Sequence, residues 1–270
     1  PRRSTLSSSS AASDVYKRQF IIMAMARPQF RISKENLDVE GIDIMMAVDI
    51  SGSMLAEDFK PNRIEAAKEL GINFIEERPT DCIGLVIYAG EAFTQCPITI
   101  DHNVLTQLFK EVSSGDLKDG TAIGDGLATA VDRLRYSNAV SKVVILLTDG
   151  VNNSGFIDPL TAAEIAKIYG IRVYTIGVGT KGKAPYPFQS PFGTDYQYVD
   201  VEINEDLLNE IANMTGGKYF RATDNTSLEK IYEEIDALEK SKINITTFTN
   251  NKDIFIYFLF DFQNFLFYYS

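Results

Sequence analysis

Ile42-Asp43-Ile44-Met45-Met46-Ala47-Val48-Asp49-Ile50-Ser51-Gly52-Ser53-Met54 is the stretch on which the reading of this chain turns. Its first half is an apolar run with no polar face, the pattern of a central strand in a parallel sheet covered by helices on both sides. Its second half is a loop rich in oxygen. Ligand sites in open parallel sheets lie beyond the carboxyl ends of the strands, so Asp49, Ser51 and Ser53 stand where a site is expected. Alternate positions on a tight turn bring one carboxylate and two hydroxyls around a common point, the hard oxygen donors that magnesium prefers. Alone, Asp-x-Ser-x-Ser is equally compatible with a solvated strand-to-helix turn.

Two later segments bear on that choice. Gly120-Thr121-Ala122-Ile123-Gly124 opens an amphipathic helix, and Val143-Val144-Ile145-Leu146-Leu147-Thr148-Asp149-Gly150 is a second apolar strand ending in a carboxylate. With these in place the sequence resembles the von Willebrand factor A (VWA) domain with its metal-ion-dependent adhesion site. The resemblance implies one divalent cation, Mg2+ or else Mn2+ or Ca2+, held by Asp49, Ser51, Ser53, Thr121 and Asp149. All five stand in the family's order, each at an expected strand end or helix start.

Outward from these segments, strands and helices alternate. The expected fold is therefore α/β: a doubly wound, mostly parallel sheet with one antiparallel edge strand and helices on both faces. Expected helices are Arg63 to Glu77, Asn103 to Val112 capped by Asp101, Gly124 to Tyr136, Leu160 to Tyr169, Glu205 to Thr215 and Ser227 to Lys242. Expected strands are Cys82 to Ala89, Ser141 to Thr148, Arg172 to Val178 and Gly217 to Arg221. Ala92 to Pro97 is the antiparallel edge strand, reached through a tight turn at Gly90-Glu91. Thr180 to Thr194 carries Pro185, Pro187 and Pro191, a density that forbids a helix and predicts an extended surface loop. That loop is expected to border the site and contribute to partner choice through Tyr186, Phe188 and Phe192. Asp200 to Ile203 is expected to re-enter the sheet.

The ends are different in kind. Ser9 to Gln19 reads, codon by codon, as the translation of a transposase sequencing adapter, so residues 1–19 are set aside as an artefact. On that reading the native N-terminus is missing. Phe20 to Ala26 then reads as the end of a truncated transmembrane helix, and residues 27–40 as a linker to a domain at 41–240. Residues 241–253 form a second linker. Residues 254–270 are a membrane-directed tail, in which Asp261, Gln263 and Asn264 interrupt an aromatic run; a surface-lying segment is its alternative.

The chain carries 26 basic and 37 acidic residues, a net charge of -11. Residues 1–19 hold four of the basic residues and one of the acidic ones, so the remainder is more acidic still. Such a balance excludes phosphate-dominated nucleic-acid binding. Two cysteines make no disulfide framework. The only histidine, His102, lies far from Ser51 with no third group to orient it, which excludes a Ser-His triad. An aspartyl-phosphate enzyme at Asp49 would need a nearby lysine, and Lys142 begins its strand at the opposite edge of the sheet. The chain is thus read as non-enzymatic, with a phosphate-handling hydrolase and a metal-independent scaffold as alternatives.

Beyond the metal motif, Ala26-Arg27-Pro28-Gln29, Tyr88-Ala89-Gly90-Glu91-Ala92-Phe93-Thr94-Gln95-Cys96-Pro97, Gly177-Val178-Gly179-Thr180, Pro185-Tyr186-Pro187, Gly217-Lys218-Tyr219-Phe220-Arg221-Ala222 and Glu239-Lys240-Ser241-Lys242 resemble the Bacteroides aerotolerance (Bat) family, its A-type member in particular. This resemblance covers about Phe20 to Ile245. It implies a domain anchored in the bacterial inner membrane and lying outside the cytoplasm, encoded beside a MoxR-type AAA+ ATPase. It also implies other Bat-type membrane proteins as partners. In such a site a protein partner supplies a carboxylate to the metal. One of Asp49 and Asp149 is expected to ligate directly and the other through water.

Overall fold

The computed structural model describes residues 18, 29–31, 41–190, 193–243 and 251–253. In chain order the elements are β1 (Gln29–Arg31), β2 (Asp43–Asp49), a 3-10 turn (Gly52–Leu55), α1 (Arg63–Glu76), β3 (Cys82–Tyr88), β4 (Ala92–Thr99), α2 (His102–Glu111), α3 (Ile123–Leu134) and β5 (Lys142–Thr148). They continue with α4 (Pro159–Ile168), β6 (Arg172–Val178), β7 (Lys183–Ser190), β8 (Gly193–Asp200), α5 (Glu205–Thr215), β9 (Tyr219–Ala222), α6 (Asn225–Ile243) and β10 (Asn251–Asp253). The chain divides into two compact units, residues 39–245 and a smaller unit made of residues 1–38 and 246–270. In the smaller unit β1 pairs antiparallel with β10, Gln29 opposite Asp253 and Arg31 opposite Asn251.

The larger unit is built on a six-stranded sheet in the order β4-β3-β2-β5-β6-β9. All neighbours are parallel except β3 and β4. The expected α/β architecture, with its antiparallel edge strand, is the one found. Strand pleating sorts the apolar runs into two cores, because successive side chains point to opposite faces. Ile44, Met46 and Val48 of β2 join Ile145 and Leu147 of β5 in a core covered by α1, α2 and α6. Met45 and Ala47 join Val144 and Leu146 in the other, covered by α3, α4 and α5. A strand with only one buried face would alternate with polar residues; these do not, since both faces are covered.

Helix starts follow the capping chemistry. Asn62, Asp101, Asp158 and Asn204 each accept a hydrogen bond from a backbone N–H inside the first turn of α1, α2, α4 and α5, at 2.9, 3.3, 3.1 and 3.1 Å. His102 opens α2 one residue earlier than its sequence predicts, and its Nε2 lies 2.9 Å from the Asp81 carbonyl oxygen. Cys82 and Cys96 are both free thiols.

The segment after β6 departs from expectation. Where an extended surface loop was expected, Lys183–Ser190 and Gly193–Asp200 form an antiparallel ribbon of β7 and β8, with Pro185 opposite Tyr198 and Pro187 opposite Tyr196. Two prolines two residues apart share one edge of a strand. The Pro185 carbonyl faces outward and accepts from Glu57 N–H at 2.9 Å, so its missing N–H also falls on the outer edge, where the ribbon needs no donor. Asp200 accordingly closes β8, and residues 201–204 run on as a non-strand connection to α5.

Candidate metal-binding cleft at the switch point

β2 lies where the strand order reverses, with β3 on one side and β5 on the other. Connections leaving β2 and β5 diverge there and open a crevice. Register aligns the two strand ends, since Val48 pairs with Leu147 and Asp49 with Tyr88. Asp49 and Asp149 therefore reach the same rim, both buried.

Each oxygen of the two carboxylates has a partner. Asp49 Oδ1 accepts from Ser51 N–H at 2.9 Å, tightening the turn that follows β2. Asp49 Oδ2 accepts from Thr148 Oγ1 at 2.8 Å. Ser53 Oγ donates to Asp149 Oδ1 at 2.7 Å, and the Ser51 and Ser53 hydroxyls lie 3.0 Å apart. Asp149 Oδ2 accepts from Arg63 Nη1 at 2.7 Å. The same guanidinium grips Asp58 with Nε and Nη2, both at 2.7 Å. Arg63 and its two acids thus form a buried ion triad in which all three guanidinium nitrogens are committed.

Thr121 arrives from a third loop. Gly120 holds φ 132°, and a Cβ there would sit 2.4 Å from Ser154 Oγ, so the turn that presents Thr121 needs a glycine. Asn152 and Asn153 then fasten the loop: Asn153 Oδ1 accepts from Thr121 N–H and Asn152 Oδ1 from Ile123 N–H, both at 2.9 Å. Gly124 lets the start of α3 pack on the same connection, because a Cβ there would lie 1.8 Å from the Ile157 carbonyl oxygen.

Electrostatics differ between the carboxylates. Burial, reinforced by the charge of Asp149, pushes the Asp49 carboxyl up to about 7. Burial raises Asp149 as well, against the pull of Arg63. Burial also works to raise Asp58, but the bonds from Arg63 and Thr180 N–H outweigh it and hold Asp58 below its ordinary value. Among the described residues no three His, Cys, Asp or Glu side chains gather as a metal cluster. The donors here are instead two carboxylates and three hydroxyls, a set of hard oxygens that fits Mg2+ or Ca2+.

These donors line one end of a cavity of about 580 Å³ whose other walls include Asp119, Asn153, Ala184, Tyr186, Phe188, Val199 and Glu202. All the sequence-derived candidates except Asp49 line it directly, and Asp49 lies just behind Ser51. Sequence reasoning missed Arg63, Asp58, Thr148 and Asp119. A signal existed for Arg63: it begins α1 beside the apolar positions of the core-facing stripe. Asp119 accepts a 3.2 Å bond from Gly52 N–H, tying the second loop to the first.

Residues 43–234 match the family model of the von Willebrand factor type A domain. The chain belongs to the VWA family. An uncharacterized protein from Borreliella burgdorferi is 33% identical over 241 residues, covering 88% of this chain and 71% of its own length. This chain spans 59% of the length of a UPF0353 protein from Mycolicibacterium paratuberculosis. Among solved VWA structures, the conserved hypothetical protein BatB from Bacteroides thetaiotaomicron is 34% identical, with a TM-score of 0.64 over 74% of this chain and 100% of that one. An aerotolerance-related membrane protein from Bacteroides fragilis is 32% identical, with a TM-score of 0.63 over 72% of this chain and 98% of that one. The similarity to Bat proteins read from the sequence is thus shared by solved structures. VWA domains are in general interaction and adhesion modules.

Proposed function

We propose that this chain is a non-enzymatic, metal-dependent protein-interaction module: Asp49, Ser51, Ser53, Thr121 and Asp149 hold one divalent cation, and a carboxylate from a partner protein completes its shell. The observation that supports this most directly is that Asp149, Ser51, Ser53 and Thr121, from three loops, line one open cavity, with Asp49 directly behind Ser51. A cation held by these residues would supply positive charge to an incoming acid. The chain's own residues orient the donors: Thr148 turns Asp49, Ser53 and Arg63 turn Asp149, and Asn153 sets the Thr121 loop. In the phosphate-enzyme alternative, Lys142 could not serve Asp49, because it begins β5 at the end opposite Thr148.

The test is thermal. Magnesium at about 100 times its dissociation constant should stabilise the wild type by ~2.7 kcal/mol, a rise of several degrees in melting temperature. Asp49→Ala and Asp149→Ala should each abolish that rise. An unchanged wild-type melt with and without magnesium overturns the reading.

The setting we propose is a membrane-anchored Bat/MoxR-type ATPase-linked envelope system, with the domain outside the cytoplasm. Among the described residues no helix is long and apolar enough to cross a membrane, and the candidate segments 20–26 and 254–270 lie outside them. Support comes from the Bat-like neighbours and from the β1–β10 register, in which the chain enters β1 and leaves β10 at the same end of the ribbon. Protease added to spheroplasts expressing the full native gene should digest the domain. Protection until lysis would place it in the cytoplasm instead.

A further inference from the structure

The metal end is only half of the cleft. Strand alternation points Ala184, Tyr186 and Phe188 of β7 to one face of the ribbon, and Val199, opposite Ala184, shares it. All four line the same cavity as Ser51, Thr121 and Asp149. Tyr186 and Phe188 pack at 5.0 Å between ring centroids with planes 58° apart, so they form one aromatic wall; Phe188 is still 40% exposed. Prolines 185 and 187 face the other way and stiffen the strand that carries the wall. Rigid, half-exposed aromatic rings beside a polar anchor are the usual make-up of an energetic centre in a recognition surface.

Charge restricts what can lie against this wall. Asp119 and Glu202 line the cavity, and Arg63, the cation among its described lining residues, is already bound to Asp58 and Asp149. A second carboxylate on the ligand would meet these acids, whereas a basic group would be attracted to them. We infer that the cleft binds a peptide segment of another protein in which a single acidic residue lies beside a large apolar side chain and is flanked by a basic residue. The acid goes to the metal end, the apolar side chain packs on Tyr186, Phe188 and Val199, and the base lies over Glu202. This rests on the metal-and-carboxylate reading above and adds the apolar and basic requirements to it.

Selection of a random heptapeptide display library on the purified full chain in 5–10 mM-range magnesium, roughly saturating for a weak oxygen site, reads all three requirements at once. Enriched peptides should carry one Asp or Glu next to Phe, Tyr, Leu or Ile with a nearby Lys or Arg, and chelator should release them. The Tyr186→Ala/Phe188→Ala variant should keep selecting magnesium-dependent acidic peptides but lose the apolar preference, and should bind the wild-type winners at least tenfold more weakly. Val199→Asp is the second variant, and retention of the magnesium-linked melting shift in both shows that fold and metal end survive. Acidic peptides without apolar enrichment, polyacidic winners, no enrichment at all, or indifference of both variants overturns the inference. Magnesium-dependent self-association that the winners displace would make the occupant a second copy of this chain and overturns it too. Winners lacking a carboxylate, or insensitive to chelator, would instead overturn the metal reading beneath it.

Discussion

Arg63→Ala is expected to lower the stability of the larger unit by about 3–5 kcal/mol, because removing one partner of a buried ion pair leaves its counter-charge buried and unpaired. Here two counter-charges are stranded. Arg63 binds Asp58 bidentately and Asp149 singly, and its side chain and those of Asp58 and Asp149 are 3% exposed or less. The triad also joins three separate parts of the chain: the turn before α1, the start of α1, and the end of β5. Losing it should loosen the second carboxylate of the cleft as well as the fold. Arg63→Lys should recover less than half of the loss, since an ammonium group cannot span two carboxylates in the planar fork that a guanidinium offers. Urea unfolding with an unchanged slope measures the effect; a loss below about 1 kcal/mol for the alanine variant would show that the triad contributes little net stability.

Glu239 should produce a loss of comparable size at the opposite end of the strands, with a pH signature. It is 1% exposed and accepts from Arg172 Nε at 2.9 Å, Ser141 Oγ at 2.8 Å and Tyr174 OH at 2.5 Å, fastening α6 to the starts of β5 and β6. Glu239→Ala strands the Arg172 guanidinium and the buried Tyr174 hydroxyl. Arg172 keeps some access to water, so about 3 kcal/mol is the expected cost. Burial works to raise the Glu239 carboxyl, but the bonds from Arg172 and Tyr174 and the charge of Arg172 more than reverse it, leaving it below its ordinary 4.5. A depressed carboxylate contributes stability that is fully present above its unfolded value and is lost as pH falls through the folded one. The stability gap between wild type and Glu239→Gln should therefore be constant above about pH 5.5 and shrink below it. A gap that is flat down to about pH 3 would mean the carboxylate is not the stabilising form.

Sequence by itself determined the architecture and the candidate residues that meet at the cleft. Residues 44–48 and 143–147 are apolar at both parities, the pattern of a strand buried on both faces, and each run leads within two residues to an aspartate. Periodicities of two and of three to four are local, so strands and helices are legible without their neighbours, as are caps such as Asp101. The order Asp49, Ser51, Ser53, Thr121, Asp149 was legible for the same reason: each residue sits at the end of a locally readable element.

Tertiary structure alone decided what those residues touch. Arg63 lies 86 positions from Asp149, Thr148 lies 99 from Asp49, and Ser141 lies 98 from Glu239; no periodicity links such pairs. Each is set by which strands the sheet places side by side and by how far one long side chain reaches across the gap. The ribbon of β7 and β8 was hidden differently. Its prolines argue against a strand unless their nitrogens lie on an open edge, and edge or interior is a property of the assembled sheet, not of the segment. The same assembly turned Tyr186 and Phe188 toward the cleft, because which face of a ribbon meets the site depends on the register of Pro185 against Glu57, a contact made across more than a hundred residues.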